Sequence, residues 1–206
     1  MQILQSFFSD PLFNFIFVVL IFAIIFNIWE LEKRKKLWQS IMESHQFTQS
    51  VNDKGKVNKN SIQGLYNHYQ ITLSETSMPI RRNGKNKTNF FTSASTVIKV
   101  EIKNPENCQM VLSRNIPRYG NRPASIPTGD EEIDEIFIVS GEPQDFALKI
   151  INHPKVRPLL MNLSQGSQIV VEGNEIIYDQ TGRITNAEKV NFIFDFLCQM
   201  ANVIKS

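Results

Sequence analysis

From Pro11 to Trp29 the chain reads PLFNFIFVVLIFAIIFNIW, nineteen residues without a charge, bounded by Asp10 and Glu30. A helix of that length covers roughly 28 Å, close to the hydrocarbon thickness of a bilayer. A soluble core helix keeps a polar stripe, and this run has none over five turns. The pattern predicts a transmembrane helix over 11–29, a short extracytoplasmic N-terminus over 1–10, and Trp29 at the membrane–water interface, where indole is favoured. Residues 1–10 hold no Lys or Arg, and a bulky, polar FNIWELEK follows the apolar run, which argues against a cleaved signal peptide.

After the span, Leu37, Trp38, Ile41 and Met42 recur at helical spacing, so a juxtamembrane helix is expected over 30–47. Residues 48–61, TQSVNDKGKVNKNS, have no apolar period and predict a flexible linker. Alternation returns in IQGLYNHYQITLS (62–74), read as one strand with Leu65, Tyr69, Ile71 and Leu73 on one face, and in STVIKVEIK (95–103). CQMVLSR (108–114) and EIFIVSG (135–141) are shorter strand candidates. Phe146, Ala147, Ile150 and Ile151 form a helical stripe that Pro154 interrupts, predicting two short helices across 144–163. Gly173-Asn174 between two apolar runs predicts a hairpin. In TNAEKVNFIFDFLCQMANVIK, Thr185 and Glu188 have capping-box spacing, and Val190, Ile193, Leu197, Met200 and Ile204 form the apolar face of a terminal helix. Strands followed by helix, hairpin and helix give an α+β class: one N-terminal transmembrane helix, then a cytosolic antiparallel-sheet domain over 62–206 ending helix–hairpin–helix.

Charge decides orientation. Lys33, Arg34, Lys35 and Lys36 follow the span while residues 1–10 carry no cation, which puts the N-terminus outside and the C-terminal domain in the cytosol. Those four cations exceed the net charge of +2, so the rest is nearly balanced and bulk attraction to nucleic acid is not expected. With Trp29 they form a membrane-interface set that meets lipid headgroups. Two cysteines ninety residues apart, Cys108 and Cys198, suggest buried thiols rather than a disulfide framework.

The sequence holds no nucleophile elbow, phosphate loop, H-E-x-x-H, C-x-x-C or dinucleotide fingerprint. No catalytic residue, cofactor or metal site is therefore assigned. Acids at 130, 132 and 134 begin like a calcium loop, but Glu135 and Gly141 stand where it needs Gly and Glu, so a solvated turn is expected. Arg81, Arg82, Lys85 and Lys87 lie in a loop expected between strands, and Arg118, Tyr119 and Arg122 in a longer Arg/Pro-rich one. Both are candidate contacts for a partner protein or lipid. Gly129-Asp130 reads as a structural turn, with Asp130 accepting backbone N–H bonds.

Several motifs recur together: Trp38 with Phe47, I-x-G-x-Y (Ile62, Gly64, Tyr66), T-x-I-x-V (Thr96, Ile98, Val100) and T-G-D-x-x-I-D (Thr128 to Asp134). With the single span and the helix–hairpin–helix ending, the chain resembles a loose group of uncharacterised bacterial single-pass proteins carrying T-G-D-x-x-F-D before an apolar strand, with Ile133 here in place of Phe. The resemblance implies a membrane-tethered cytosolic domain and carries over no activity or catalytic residue. Two function classes follow: a protein-binding or assembly module working with another membrane-associated protein, or a membrane-associated enzyme or enzyme accessory built on Asp130, Asp134, His68 and His153.

Overall fold

The computed structural model describes residues 11–51, 56–81, 90–104, 106–114 and 125–205. Helix α1 (Pro11–His45) runs without a break from the apolar segment into the domain. It is long and apolar enough to cross a membrane, and none of its apolar stretch is buried against the protein. Within that stretch Asn27 donates from Nδ2 to the Ala23 carbonyl at 2.7 Å, satisfying its amide inside the helix. Gln46 takes a positive φ of 56°, and the Phe47 N–H bonds the Met42 carbonyl at 3.0 Å. This is the Schellman pattern that ends a helix and reverses the chain.

Eight strands follow: β1 (Thr48–Val51), β2 (Val57–Tyr66), β3 (Tyr69–Arg81), β4 (Phe90–Glu101), β5 (Gln109–Arg114), β6 (Phe137–Glu142), β7 (Ser167–Glu172) and β8 (Glu175–Thr181). They form one antiparallel sheet in the order β1-β2-β3-β4-β8-β7-β5-β6. The first four strands meander, β5 and β6 lie at the far edge, and the hairpin β7–β8 fills the gap between β4 and β5. That hairpin turns at Gly173, φ 55°, between the partners Glu172 and Glu175. Helices α2 (Glu131–Ile136), α3 (Gln144–Ile151), α4 (Arg157–Leu160) and α5 (Ala187–Lys205) complete the domain.

One face of the sheet carries the core. Its strand positions include Ile62, Ile71, Leu73, Ile98, Val100, Met110, Leu112, Val139, Ile169, Val171, Ile176 and Tyr178, all buried in one cluster. Against them pack Leu37, Trp38 and Ile41 of α1, Ile150 and Ile151 of α3, and the α5 residues Val190, Ile193, Phe194, Leu197 and Met200. The α+β class and the antiparallel sheet expected from the sequence are what the chain adopts.

Four local expectations are corrected. The described part of the expected linker 48–61 is sheet: it supplies β1 and the first half of β2, and its buried positions, Ser50 and Ser61, are polar, so no apolar period announced them; residues 52–55 lie outside the described residues. The stretch 62–74 is not one strand. Asn67 and His68, at φ 47° and 71°, make a two-residue turn of the primed type that matches strand twist. The turn reverses the pairing, so Leu65 faces away from the core and is exposed, and His68 is an exposed turn residue. The acids 131–136 are helix α2, not a solvated turn, because Asp130 caps it and negative charge suits a helix N-terminus. Finally, Asn186 rather than Thr185 caps α5, accepting from the Glu188 N–H at 2.8 Å.

Gly64 shows how tightly α1 is locked to the sheet. A Cβ built there would lie 2.4 Å from Cδ1 of the buried Phe47. Phe47 stacks on Phe194 of α5, with ring centroids 5.6 Å apart. Gly64→Ala must push the Phe47 ring out of place, and thermal or urea unfolding of the detergent-solubilised chain should show a loss of about 1–3 kcal/mol. An unchanged midpoint would mean that Phe47 does not hold the helix end against the sheet.

Candidate functional site

The functionally suggestive geometry gathers where α1 leaves the apolar span and meets the sheet. Glu75 on β3 shares the core-facing parity of Ile71 and Leu73, which aims a carboxylate at the helix layer. Its side chain is only 7% exposed. Arg34 Nε lies 2.9 Å from Glu75 Oε2, and Arg183 Nε lies 3.4 Å from the same oxygen. Arg34 also donates from Nη2 to Asn60 Oδ1 at 2.9 Å and stands 5.7 Å over the Trp38 ring. One acid thus clamps the anchor helix and the segment after β8 onto a single strand.

A second seam joins the far end of α1 and the β2–β3 hairpin to α5. His45 Nε2 is 2.9 Å from Asn191 Oδ1, and its ring meets Tyr66 edge-on at 5.0 Å. The Tyr66 hydroxyl donates to Asp195 Oδ1 at 2.8 Å, and the Tyr69 hydroxyl donates to Asn202 Oδ1 at 2.8 Å. Burial, and then the Asp195 carboxylate, push the Tyr66 phenol well above its ordinary range. Burial, again followed by Asp195, pushes the Cys198 thiol up to about 12. A phenol and a thiol held protonated this firmly are poor proton-transfer groups near neutrality. The seam therefore reads as a mechanical joint.

Beside the clamp lies an open groove of about 280 Å³. Leu31, Arg34, Lys35 and Trp38 line it from one helical stripe of α1, and Gln49 and Asn60 face them from the sheet edge. Lys35 is exposed and has no ion-pair partner among the described residues.

The T-G-D-x-x-I-D segment is a closed hydrogen-bonded loop. Gly129 supplies a φ of 80°. Asp130 accepts from the Glu132 N–H at 3.1 Å and pairs with Arg157 of α4. Asp134 accepts from the Thr128 N–H at 2.8 Å and from its hydroxyl at 2.7 Å. Asn152 Nδ2 donates to the Thr128 carbonyl at 3.2 Å, tying the loop to the end of α3. The Thr128 bonds hold the Asp134 carboxyl below its ordinary value.

The sequence candidates distribute as follows. Trp29 lies under Lys33, whose Nζ is 3.3 Å from the ring centroid. Lys35 and Lys36 are exposed, while Arg34 is drawn into the clamp with Glu75. Arg81 ends β3, and Arg82, Lys85, Lys87, Arg118, Tyr119 and Arg122 lie outside the described residues. Asp130, Asp134 and His153 collect around α2–α4, and His153 Nδ1 accepts from the Lys155 N–H at 3.2 Å. His68 stands apart from them, on a different groove beside Tyr69 and Lys205. Among the described residues no cluster of three or more His, Cys, Asp or Glu is placed to hold a metal ion. Glu75, Arg183, Asn191 and Asp195 escaped the sequence reading, because each acts through a contact distant in the chain.

Two measurements follow from this geometry. A double-mutant cycle on Arg34→Ala and Glu75→Ala should give a coupling of about 1–2 kcal/mol, below the scale of a fully buried pair because Arg34 keeps some solvent. The Arg183–Glu75 cycle should give less, since the Arg183 side chain is 41% exposed. Asp134 should titrate below its ordinary 3.8 in carboxyl NMR, and Thr128→Val should move it upward. A depressed carboxyl stabilises the fold fully above its unfolded value, and that stability is lost as pH falls through the lowered native value. The pH-dependent part of the wild-type advantage over Thr128→Val should therefore vanish only in strong acid.

No protein-family model matches the chain. A search of curated proteins finds no match either. Among solved structures, the crystal structure of the mycobacterial trehalose monomycolate transport factor A, TtfA, superposes with a TM-score of 0.53 over 81% of this chain and 91% of that one. The two are 12% identical, so the likeness is one of fold.

Proposed function

We propose that this chain is a membrane-anchored accessory or scaffold protein whose α+β domain docks a second membrane-associated protein at the cytosolic face. The observation that carries the reading is the continuity of α1. The helix that is apolar enough to span a bilayer buries Leu37, Trp38 and Ile41 in the core of the domain. The domain is thereby held at a fixed height and rotation above the bilayer, as suits a module that presents one surface to a neighbour in the same membrane. A domain meant to search widely would hang on a flexible tether. The cations after Trp29, and none in residues 1–10, support the cytosolic placement. The similarly folded mycobacterial protein is called a transport factor, a name compatible with an accessory role. The acids and histidines that the sequence offers for catalysis are engaged in caps and turns or stand apart, which favours docking over chemistry.

Cross-linking in native membranes, followed by extraction in several mild detergents and affinity isolation, tests this. The full chain should come out with one stoichiometric membrane-associated partner. A short Gly-Ser insertion between Glu32 and Lys33 keeps both the span and the domain while uncoupling them, and should lose that partner. Recovery of the wild-type chain alone in every detergent overturns the reading. Retention of the partner by the insertion variant would overturn the claim that fixed orientation matters.

A further inference from the structure

The groove beside the clamp lies at a height that the bilayer sets. Trp29 closes the apolar run, and at 1.5 Å per residue Leu31 stands about 3 Å and Lys35 about 9 Å farther along the axis. The headgroup layer of one leaflet is about 5–8 Å deep. The groove thus opens at the hydrocarbon boundary with Leu31 and reaches the outer headgroup level at Lys35.

Its chemistry is graded in the same direction. Leu31 continues the apolar surface of the span. Lys35 presents an ammonium without an ion-pair partner among the described residues. Arg34 directs Nε to Glu75 and Nη2 to Asn60, and among the described residues Nη1 has no partner and can meet an anion. The amides of Gln49 and Asn60 line the same groove as the Trp38 ring, with Asn60 Oδ1 held by Arg34. Amides beside an indole provide donors, acceptors and an apolar floor, which suits a hydroxyl-bearing group with C–H faces. A headgroup ending in its own ammonium would instead bring like charge toward Lys35 and Arg34. At about 280 Å³ the space takes a headgroup and not an acyl chain.

We infer that this groove binds one anionic phospholipid with a hydroxyl-bearing headgroup, phosphatidylglycerol being the simplest. Its phosphate meets Lys35 and Arg34 Nη1, its hydroxyls meet Gln49 and Asn60, and its chains stay in the bilayer along Leu31. The site requires that α1 span a bilayer and is independent of any protein partner. It differs from a diffuse basic surface in depending on Lys35 and not on its neighbour Lys36, which lies outside the groove.

Native mass spectrometry of the full chain, released from detergent with one lipid added at a time, reads the site directly. Wild type should retain a single phosphatidylglycerol in preference to phosphatidylcholine, and also in preference to phosphatidylethanol, a diester of the same charge without the hydroxyls. Lys35→Ala should weaken phosphatidylglycerol retention about tenfold, the scale of one hydrogen bond to a charged group. Gln49→Leu should abolish the preference over phosphatidylethanol while keeping that over phosphatidylcholine. Lys36→Ala should change neither. All three side chains are exposed, so the core is untouched, and circular dichroism verifies each fold. Equal retention of phosphatidylcholine and phosphatidylglycerol, or equal losses in Lys35→Ala and Lys36→Ala, overturns the site. Equal retention of phosphatidylethanol and phosphatidylglycerol by wild type overturns the hydroxyl recognition.

Discussion

On the proposed reading, helix α1 meets two solvents in succession; its exposed apolar stretch gives way to core packing in about two turns, between Trp29 and Leu37. In lipid a helix is obligatory, because no water is present to satisfy backbone groups. In the domain the same helix persists because Leu37, Trp38 and Ile41 are buried, each contributing on the order of 1.5–3 kcal/mol. No break separates the two halves, so the direction of the span dictates the direction of the sheet. The rest of the architecture accommodates that constraint. The chain must reverse immediately after α1, and it does so through the positive φ of Gln46 and the inward turn of Phe47. The sheet must then leave room for that ring, and Gly64 provides it.

The polar contacts divide labour in a consistent way. Glu75 is a poor source of net stability, since desolvating a carboxylate offsets much of what its two arginines return. Its effect is geometric: the fold brings α1, β3 and the segment after β8 to one oxygen atom. The Thr128–Asp134 loop does the same on the other side of the domain, joining α2 to the ends of α3 and α4 through Asn152 and Arg157. Asp130 caps α2 and pairs with Arg157, while Asp134 Oδ1 accepts both Thr128 bonds, so each acid has a structural task in the loop.

What the sequence made legible was whatever depends on near neighbours. The apolar run, the terminal helix face, the Pro154 interruption and the Gly173 turn each rest on residues within one element, and each is where the pattern put it. The failures share a different cause. Residues 48–61 looked like a linker because β1 and the first half of β2 bury Ser50 and Ser61 and show no apolar period. The Asn67-His68 turn was hidden because apolar residues on both sides, Leu65 and Tyr69, happen to continue a period of two. The alternation of Tyr69, Ile71 and Leu73, carried past the expected strand end at 74, puts Glu75 on the core face, where an acid demands a cation. Which cation answers it, Arg34 or any other, is a long-range fact that spacing does not encode.

The basic run Lys33 to Lys36 shows how a helix undoes a cluster. Successive residues point about 100° apart, so four adjacent cations cannot act as one patch. Lys33 folds back over Trp29, Arg34 turns into the clamp with Glu75, Lys35 faces the groove and Lys36 faces away from it. Diffuse attraction to an anionic surface would use all four alike, each at roughly 1 kcal/mol. The observed separation takes Arg34 largely out of that sum and sets Lys35 in a groove with amides and an indole. A run that reads in one dimension as a topology signal is, in three dimensions, one structural tie, one cation stacked on Trp29, one outward charge and one groove-facing charge.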